Sequence, residues 1–217
     1  MIDVINAPAR MEHPVELERC QPSARKEPAV SVIIPLATGE VRPVWLLESL
    51  PQDFEIILAR GGTRASSMNR AAEMASGRHF WFVHADTILS SDAVEALQAC
   101  LKNGEALSYF DLRFDGGFLM RLTELGVHFR SRCLGIPFGD QALCLSRQAF
   151  TRLGGYDERT PTGEDHLLVR KAHRLGLPVR PVGATIQTSA RKYAQNGWFR
   201  TTWHHLRLTV SQALLHR

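Results

Sequence analysis

The chain has 217 residues, 44% of them hydrophobic and 22% charged, with a net charge of +4 and an isoelectric point near 9.1. This is an ordinary globular profile whose length favours one domain. The lysines and arginines are scattered and form no nucleic-acid-binding motif, which excludes nucleic acid as the expected partner; a mildly basic chain suits an anionic one, such as a diphosphate or an acidic membrane surface.

Residues 1 to 28, rich in Pro, Glu and Arg without a period, read as a flexible leader, and residues 29 to 217 as the folded domain. Nothing in the leader resembles a signal peptide, and no apolar run approaches the roughly 20 residues needed to span a bilayer. Cys20, Cys100, Cys133 and Cys144 form no CxxC pair and no zinc-ligand spacing. A disulfide framework is therefore not expected, and the default location is the cytoplasm.

Order begins at Val30 to Pro35, a β-branched run that reads as a buried strand, and Val44 to Leu50 reads as part of a helix. A second apolar run, Phe54 to Ala59, ends in Arg60-Gly61-Gly62. Ala65 to Ser76 then predicts a helix with Met68, Ala71, Ala72 and Ala75 on one face and Gly77 as its cap. Phe80 to Val83 is a third buried strand, and Ser91 to Leu101 a helix. This alternation predicts an α/β fold with a mostly parallel sheet, which binds ligands at the carboxyl ends of its strands, here Pro35, Arg60 and Asp86. The second half reads as a smaller mixed β region: Tyr109 to Asp115 alternates like a half-exposed strand, and Ala142 to Leu145 is a short one. Glu164 to Leu175 reads as a helix. From Trp198 the chain reads as an amphipathic, basic helix that packs on the domain or makes peripheral contact with a membrane, where it would suit a lipid-linked acceptor.

His84 and Asp86 follow the third strand two residues apart, so an extended chain projects both to one side. An aspartate there can hold Mg²⁺ or Mn²⁺ against a diphosphate, with His84 beside it, or can simply open a turn. Arg64 and Asn69 flank the start of a helix, a place that suits phosphate. Glu164 and Asp165 open a helix after Pro161-Thr162-Gly163; they either cap it or supply a base. Asp140 and Gln141 follow a glycine and either bond sugar or acceptor hydroxyls or satisfy a turn.

Several of these passages together resemble family 2 glycosyltransferases, and more narrowly the subgroup associated with radical-SAM and arsenosugar biosynthesis. They are Val83-His84-Ala85-Asp86-Thr87, Arg64-Ala65-Ser66-Ser67-Met68-Asn69, Gly139-Asp140-Gln141-Ala142, Gly154-Gly155-Tyr156-Asp157, Glu164-Asp165 and Thr188-Ser189-Ala190-Arg191. The resemblance implies a single GT-A-like domain and a metal-dependent, inverting transfer from a nucleotide-sugar donor to a small-molecule or lipid-linked acceptor. It implies that Asp165 is the base, with Glu164 beside it, that Asp86 serves the metal, and that Arg191 reaches the diphosphate.

Three features depart from that pattern. The first strand lacks the usual Asn-Glu pair after it, and Arg60 replaces the aspartate that usually contacts the nucleotide base; the stretch usually found before the Arg64 passage is also absent. Arg60 reverses the local charge, so it either meets a phosphate or marks a lost donor site. The competing reading is a catalytically silent binding protein that keeps the fold.

Overall fold

The apolar runs at Val30, Phe54 and Phe80 form the centre of one twisted sheet. The computed structural model describes residues 14–21, 29–160 and 162–189. Its strands are β1 (Glu16–Gln21), β2 (Val30–Leu36), β3 (Glu55–Arg60), β4 (His79–Phe82), β5 (Ile88–Leu89), β6 (Leu107–Phe114), β7 (Cys144–Ser146) and β8 (Val179–Thr188). The helices are α1 (Val44–Glu48), α2 (Arg64–Met74), α3 (Ala93–Leu101), α4 (Phe118–Cys133), α5 (Arg147–Arg152) and α6 (Glu164–Arg174).

The sheet order is β1-β3-β2-β4-β7-β6-β8-β5. Strand β2 is parallel to both β3 and β4, β7 is antiparallel to β4 and β6, and β8 is parallel to β6. Strands β2, β3, β4, β6 and β8 therefore all point the same way, and their carboxyl ends share one edge. The start of β7 meets that edge too, since Cys144 lies opposite Trp81. This is a Rossmann-derived, GT-A-like arrangement, with the mixed portion in the second half as the sequence predicts.

The pleat sorts the core into two layers. Ile33, Ile57, Phe80 and Phe82 face α2, α5 and α6 with Met68, Phe150, Leu168 and Val169. Val32, Ile34, Ile56, Leu58 and Trp81 face the other side with Leu46, Leu97 and Phe110. Trp81 stacks on Phe110 with ring centroids 5.4 Å apart, tying the parallel half to β6.

Four expectations need correction. Glu16–Gln21, inside the segment read as a leader, forms β1 and pairs antiparallel with β3; its polar composition suits an edge strand, which carries no apolar period. Strand β8 and helix α4 replace segments to which no element is assigned from sequence. Residues Ala142 and Leu143 precede β7 rather than belonging to it. Gly77 does not cap α2, which ends at Met74 with Ala75 as its cap; a Cβ at Gly77 would meet the Ser31 backbone nitrogen at 2.6 Å, so glycine permits the close approach to β2. The amphipathic segment from Trp198 lies outside the described residues.

Glu55, 1% exposed, anchors the opposite, amino-terminal edge. Its carboxylate accepts from the Ser76 backbone N–H at 2.7 Å, the Ser76 hydroxyl at 2.8 Å and the Ser31 hydroxyl, and pairs with Arg19 of β1 at 3.0 Å. Burial opposes the charge, but these partners outweigh it and hold the pKa below the ordinary 4.5. The stability that this charge contributes is present above pH 4.5 and is lost as pH falls below it toward the folded value. Glu55→Gln should cost about 2 kcal/mol in urea unfolding at neutral pH, because it breaks a buried, multiply bonded carboxylate. The variant should also flatten the decline of stability below pH 4.5.

Candidate active site

At the carboxyl edge the starts of two helices converge on one arginine. Arg64 is the first residue of α2, whose preceding turn is fixed by Thr63: its hydroxyl accepts from the Ser66 N–H at 3.1 Å, while the Ser66 hydroxyl accepts from the Thr63 N–H at 2.9 Å. Arg64 Nη1 donates to Glu164 Oε1 at 2.8 Å and to Asp165 Oδ2 at 2.7 Å, both in the first turn of α6. Arg64 Nη2 donates to His84 Nε2, just beyond β4. Because a guanidinium only donates, His84 accepts through Nε2. Burial works against the charge on Arg64, but Asp165 and then Glu164 overcome it and raise its pKa.

Asp165 is the residue around which space has been made. Its Oδ2 is held by Arg64, whereas its Oδ1 is buried without a hydrogen-bond partner. A Cβ on Gly139 would lie 2.1 Å from Oδ2 and 2.6 Å from Oδ1, so only glycine fits against this carboxylate. The Tyr156 hydroxyl is likewise buried without a partner; burial, then the Asp165 charge, pushes its pKa well up. His166 Nε2 is a third such atom. Burial, with Arg130 and Arg170, lowers the His166 pKa to about 4 and keeps the ring neutral near pH 7.

The other residues singled out from sequence fall into distinct places. His84 and Asp86 do not share one side of an extended strand: β4 ends at Phe82 and the Thr87 N–H closes a turn onto the His84 carbonyl at 3.1 Å. Asp86 sits exposed in that turn. Asn69 clamps a loop, its Oδ1 accepting from the Tyr156 N–H at 3.0 Å and its Nδ2 donating to the Tyr156 carbonyl at 3.0 Å and to Glu158 at 2.8 Å. That loop follows the positive-φ pair Gly154-Gly155 and leads toward α6.

Asp140 and Gln141 lie not at a strand start but in a single 3-10 turn, Gly139–Gln141. The Gln141 amide is buried and fully used: Nε2 donates to the Phe110 carbonyl at 3.0 Å, and Oε1 accepts from Ser131 at 2.8 Å and from Arg130 and the Phe138 N–H at 3.1 Å. Pro35 pairs with Ala59 next to the ends of β2 and β3. Arg60, at the end of β3, donates to the Glu40 carbonyl at 2.7 Å and so ties down the loop after β2. Arg191 lies outside the described residues.

Sequence reasoning passed over Tyr156 as a buried hydroxyl near Asp165, and His166, Arg130 and Phe138. The ring of Phe138 lies between the other two, 4.3 Å from that of His166 and 3.3 Å from the Arg130 guanidinium carbon. The only signal for His166 is its adjacency to Asp165; Arg130 and Phe138 carry none. Among the described residues no group of three or more His, Cys, Asp or Glu side chains could hold a metal ion.

The strand order and the shared carboxyl edge define an α/β domain of GT-A-like fold. No protein-family model matches the chain, and no curated protein matches its sequence. Among solved structures it is similar to the crystal structure of S. aureus TarS 1–349, with a TM-score of 0.57 and 14% identity over 74% of this chain and 60% of that one. The TarS 1–349 crystal structure in complex with UDP-GlcNAc gives a TM-score of 0.56 at 14% identity, covering 74% of this chain and 58% of that one. A longer TarS structure gives 0.53 at 15% identity over 74% of this chain. The chain thus spans about three fifths of TarS 1–349 and 35% of the longer structure. At such identities the likeness is one of fold.

Gly139→Ala should push the Asp165 carboxylate from its seat, costing about 2 kcal/mol in urea unfolding by overpacking. An alanine variant as stable as the parent would contradict the close approach.

Proposed function

We propose that the chain is a nucleotide-sugar glycosyltransferase that moves a sugar to an acceptor hydroxyl with inversion at the anomeric carbon. The observation that carries this reading is Asp165, whose Oδ2 is held by Arg64 while its buried Oδ1 is unbonded at the carboxyl edge of the sheet. A base needs one anchored oxygen for orientation and one oxygen left without a partner for the incoming proton. Asp165 takes the acceptor proton on Oδ1 as the acceptor oxygen attacks the anomeric carbon. The bond to the nucleotide diphosphate breaks on the opposite face, which inverts the configuration. Arg64, held charged, fixes the carboxylate's direction, and Glu164 shares the same guanidinium.

Asp86, exposed in the turn after β4, would be the protein ligand of a divalent ion whose other ligands come from the diphosphate and water. When bound, Mg²⁺ or Mn²⁺ would neutralise charge on the departing diphosphate. His84 is poorly suited as a second ligand, since its Nε2 already accepts from Arg64. Arg60, beside the end of β2, can meet a phosphate through the guanidinium nitrogens not directed at Glu40.

The second reading, a silent binding protein on the same fold, draws on Arg60, which stands where the resembled family has the aspartate that contacts the nucleotide base and here bonds the Glu40 carbonyl, and on the stretch missing before the Arg64 passage. Turnover separates the two. With a panel of sugar nucleotides, hydroxyl acceptors and Mn²⁺, the chain should release nucleotide diphosphate. Asp165→Asn should slow release about a hundredfold or more, within the usual range for losing a general base, while the melting curve is retained. No release from any donor, or an undiminished rate in Asp165→Asn, would count against the transferase reading.

A further inference from the structure

Helix α4, 16 residues long, carries most of its apolar side chains away from the core. Met120, Val127 and Ser131 are its buried residues. Phe118 is 75% exposed, Leu122 46%, Leu125 66% and Phe129 58%. Their spacing of four, three and four residues puts them in one stripe along the helix. Isolated exposed apolar residues are common on proteins, but a continuous stripe of four large ones marks a contact surface.

The charges around the stripe indicate what covers it. Arg121 belongs to the same helix, and Arg113 is exposed on neighbouring β6. The nearby acids are engaged: Glu124 accepts from the Phe114 N–H at 2.8 Å, and Asp111 pairs with Arg132 at 2.6 Å and faces His128 at 3.4 Å. Asp115 donates its backbone N–H to the Thr188 carbonyl at 3.3 Å, so the chain leaves β8 beside the start of α4. The stretch that follows, 190–217, contains Arg191, Lys192, Arg200, Arg207 and Arg217, no acidic residue, and Trp198, Phe199 and Trp203. Two cationic, aromatic-bearing segments gain little from packing on each other. Both suit a negatively charged bilayer surface, where apolar side chains enter the interface and cations meet the headgroups. No helix among the described residues is long and apolar enough to cross a membrane, so such contact lies in the plane of the surface.

We propose that α4 seats the protein on an anionic membrane through Phe118, Leu122, Leu125 and Phe129. Its inner side reaches the candidate site, where Arg130 bonds Gln141 at 3.1 Å beside Gly139. Docking through α4 therefore brings the carboxyl edge close to the bilayer, where a lipid-borne acceptor hydroxyl would be met. The acceptor class rests on the transferase reading; the docking does not.

The test is co-sedimentation of the full chain with vesicles of phosphatidylcholine alone or mixed with phosphatidylglycerol, without any sugar nucleotide. The chain should sediment with the mixed vesicles, and less so in high salt. The double variant Leu125→Ser/Phe129→Ser should bind about tenfold more weakly with an unchanged melting curve, since it loses two apolar anchors from the interface. A polarity-sensitive fluorophore on Leu125→Cys should shift to the blue only when mixed vesicles are added. Failure to sediment, undiminished binding by the double variant, or a fluorophore already shifted in buffer would overturn the proposal; the last would mean that the chain's own end or a second copy covers the stripe. Because no donor is present, failure here leaves the transferase reading intact, and absence of turnover leaves docking intact.

Discussion

One guanidinium holds the functional edge together. Arg64 bridges to Glu164 and Asp165, 100 and 101 positions later in the chain, and donates to His84 beyond the central strand. Two helix amino termini meet there, and each carries the positive end of its dipole. Without the carboxylates, the arginine and the two dipoles would repel. With them, α6 is drawn to the sheet edge and Asp165 is aimed by its bond to Arg64. Both carboxylates are bonded to Nη1 of the arginine.

The second half of the chain supplies the wall against which this cluster rests. Gln141 locks its turn by bonding β6, α4 and its own backbone, each polar atom of the amide being used. Buried polar groups that are fully satisfied fix a single arrangement. The locked turn presents Gly139 to Asp165, so the room for the carboxylate depends on contacts to Phe110 and Ser131. Helix α4 therefore has two sides with different work. Its inner side fixes the turn, and its outer side carries the apolar stripe.

Much of the fold was legible because β2, β3 and β4 are unbroken apolar runs, as strands buried on both faces must be. Strand β8 was not, since Pro181 and Gly183 interrupt it and its register with β6 shifts between Tyr109 and Asp111. Helix α4 escaped because its apolar period points outward, so the pattern that normally locates a core misleads there. Strand β1 escaped because its side chains are mostly polar and its contribution is backbone pairing at an edge. Of the site, the acids opening α6 stood out through Pro161-Thr162-Gly163 ahead of them. The turn at His84 to Thr87 was one of two readings, because Asp86 suits both a turn and a continuing strand. The use of Asn69 as a loop clamp and of Gly139 as a seat exists only in three dimensions.

The likeness to TarS is one of fold, and it agrees with the GT-A-like fold that the resemblance in sequence implies. The most direct measurement is a crystal structure of the chain with Mn²⁺ and the nucleotide diphosphate that binds it best in a calorimetric panel. The account predicts the diphosphate at the carboxyl ends of β2 and β4, the ion on Asp86, and the terminal phosphate on the side of Asp165. A nucleotide bound away from that edge, or no binding by any member of the panel, would contradict it.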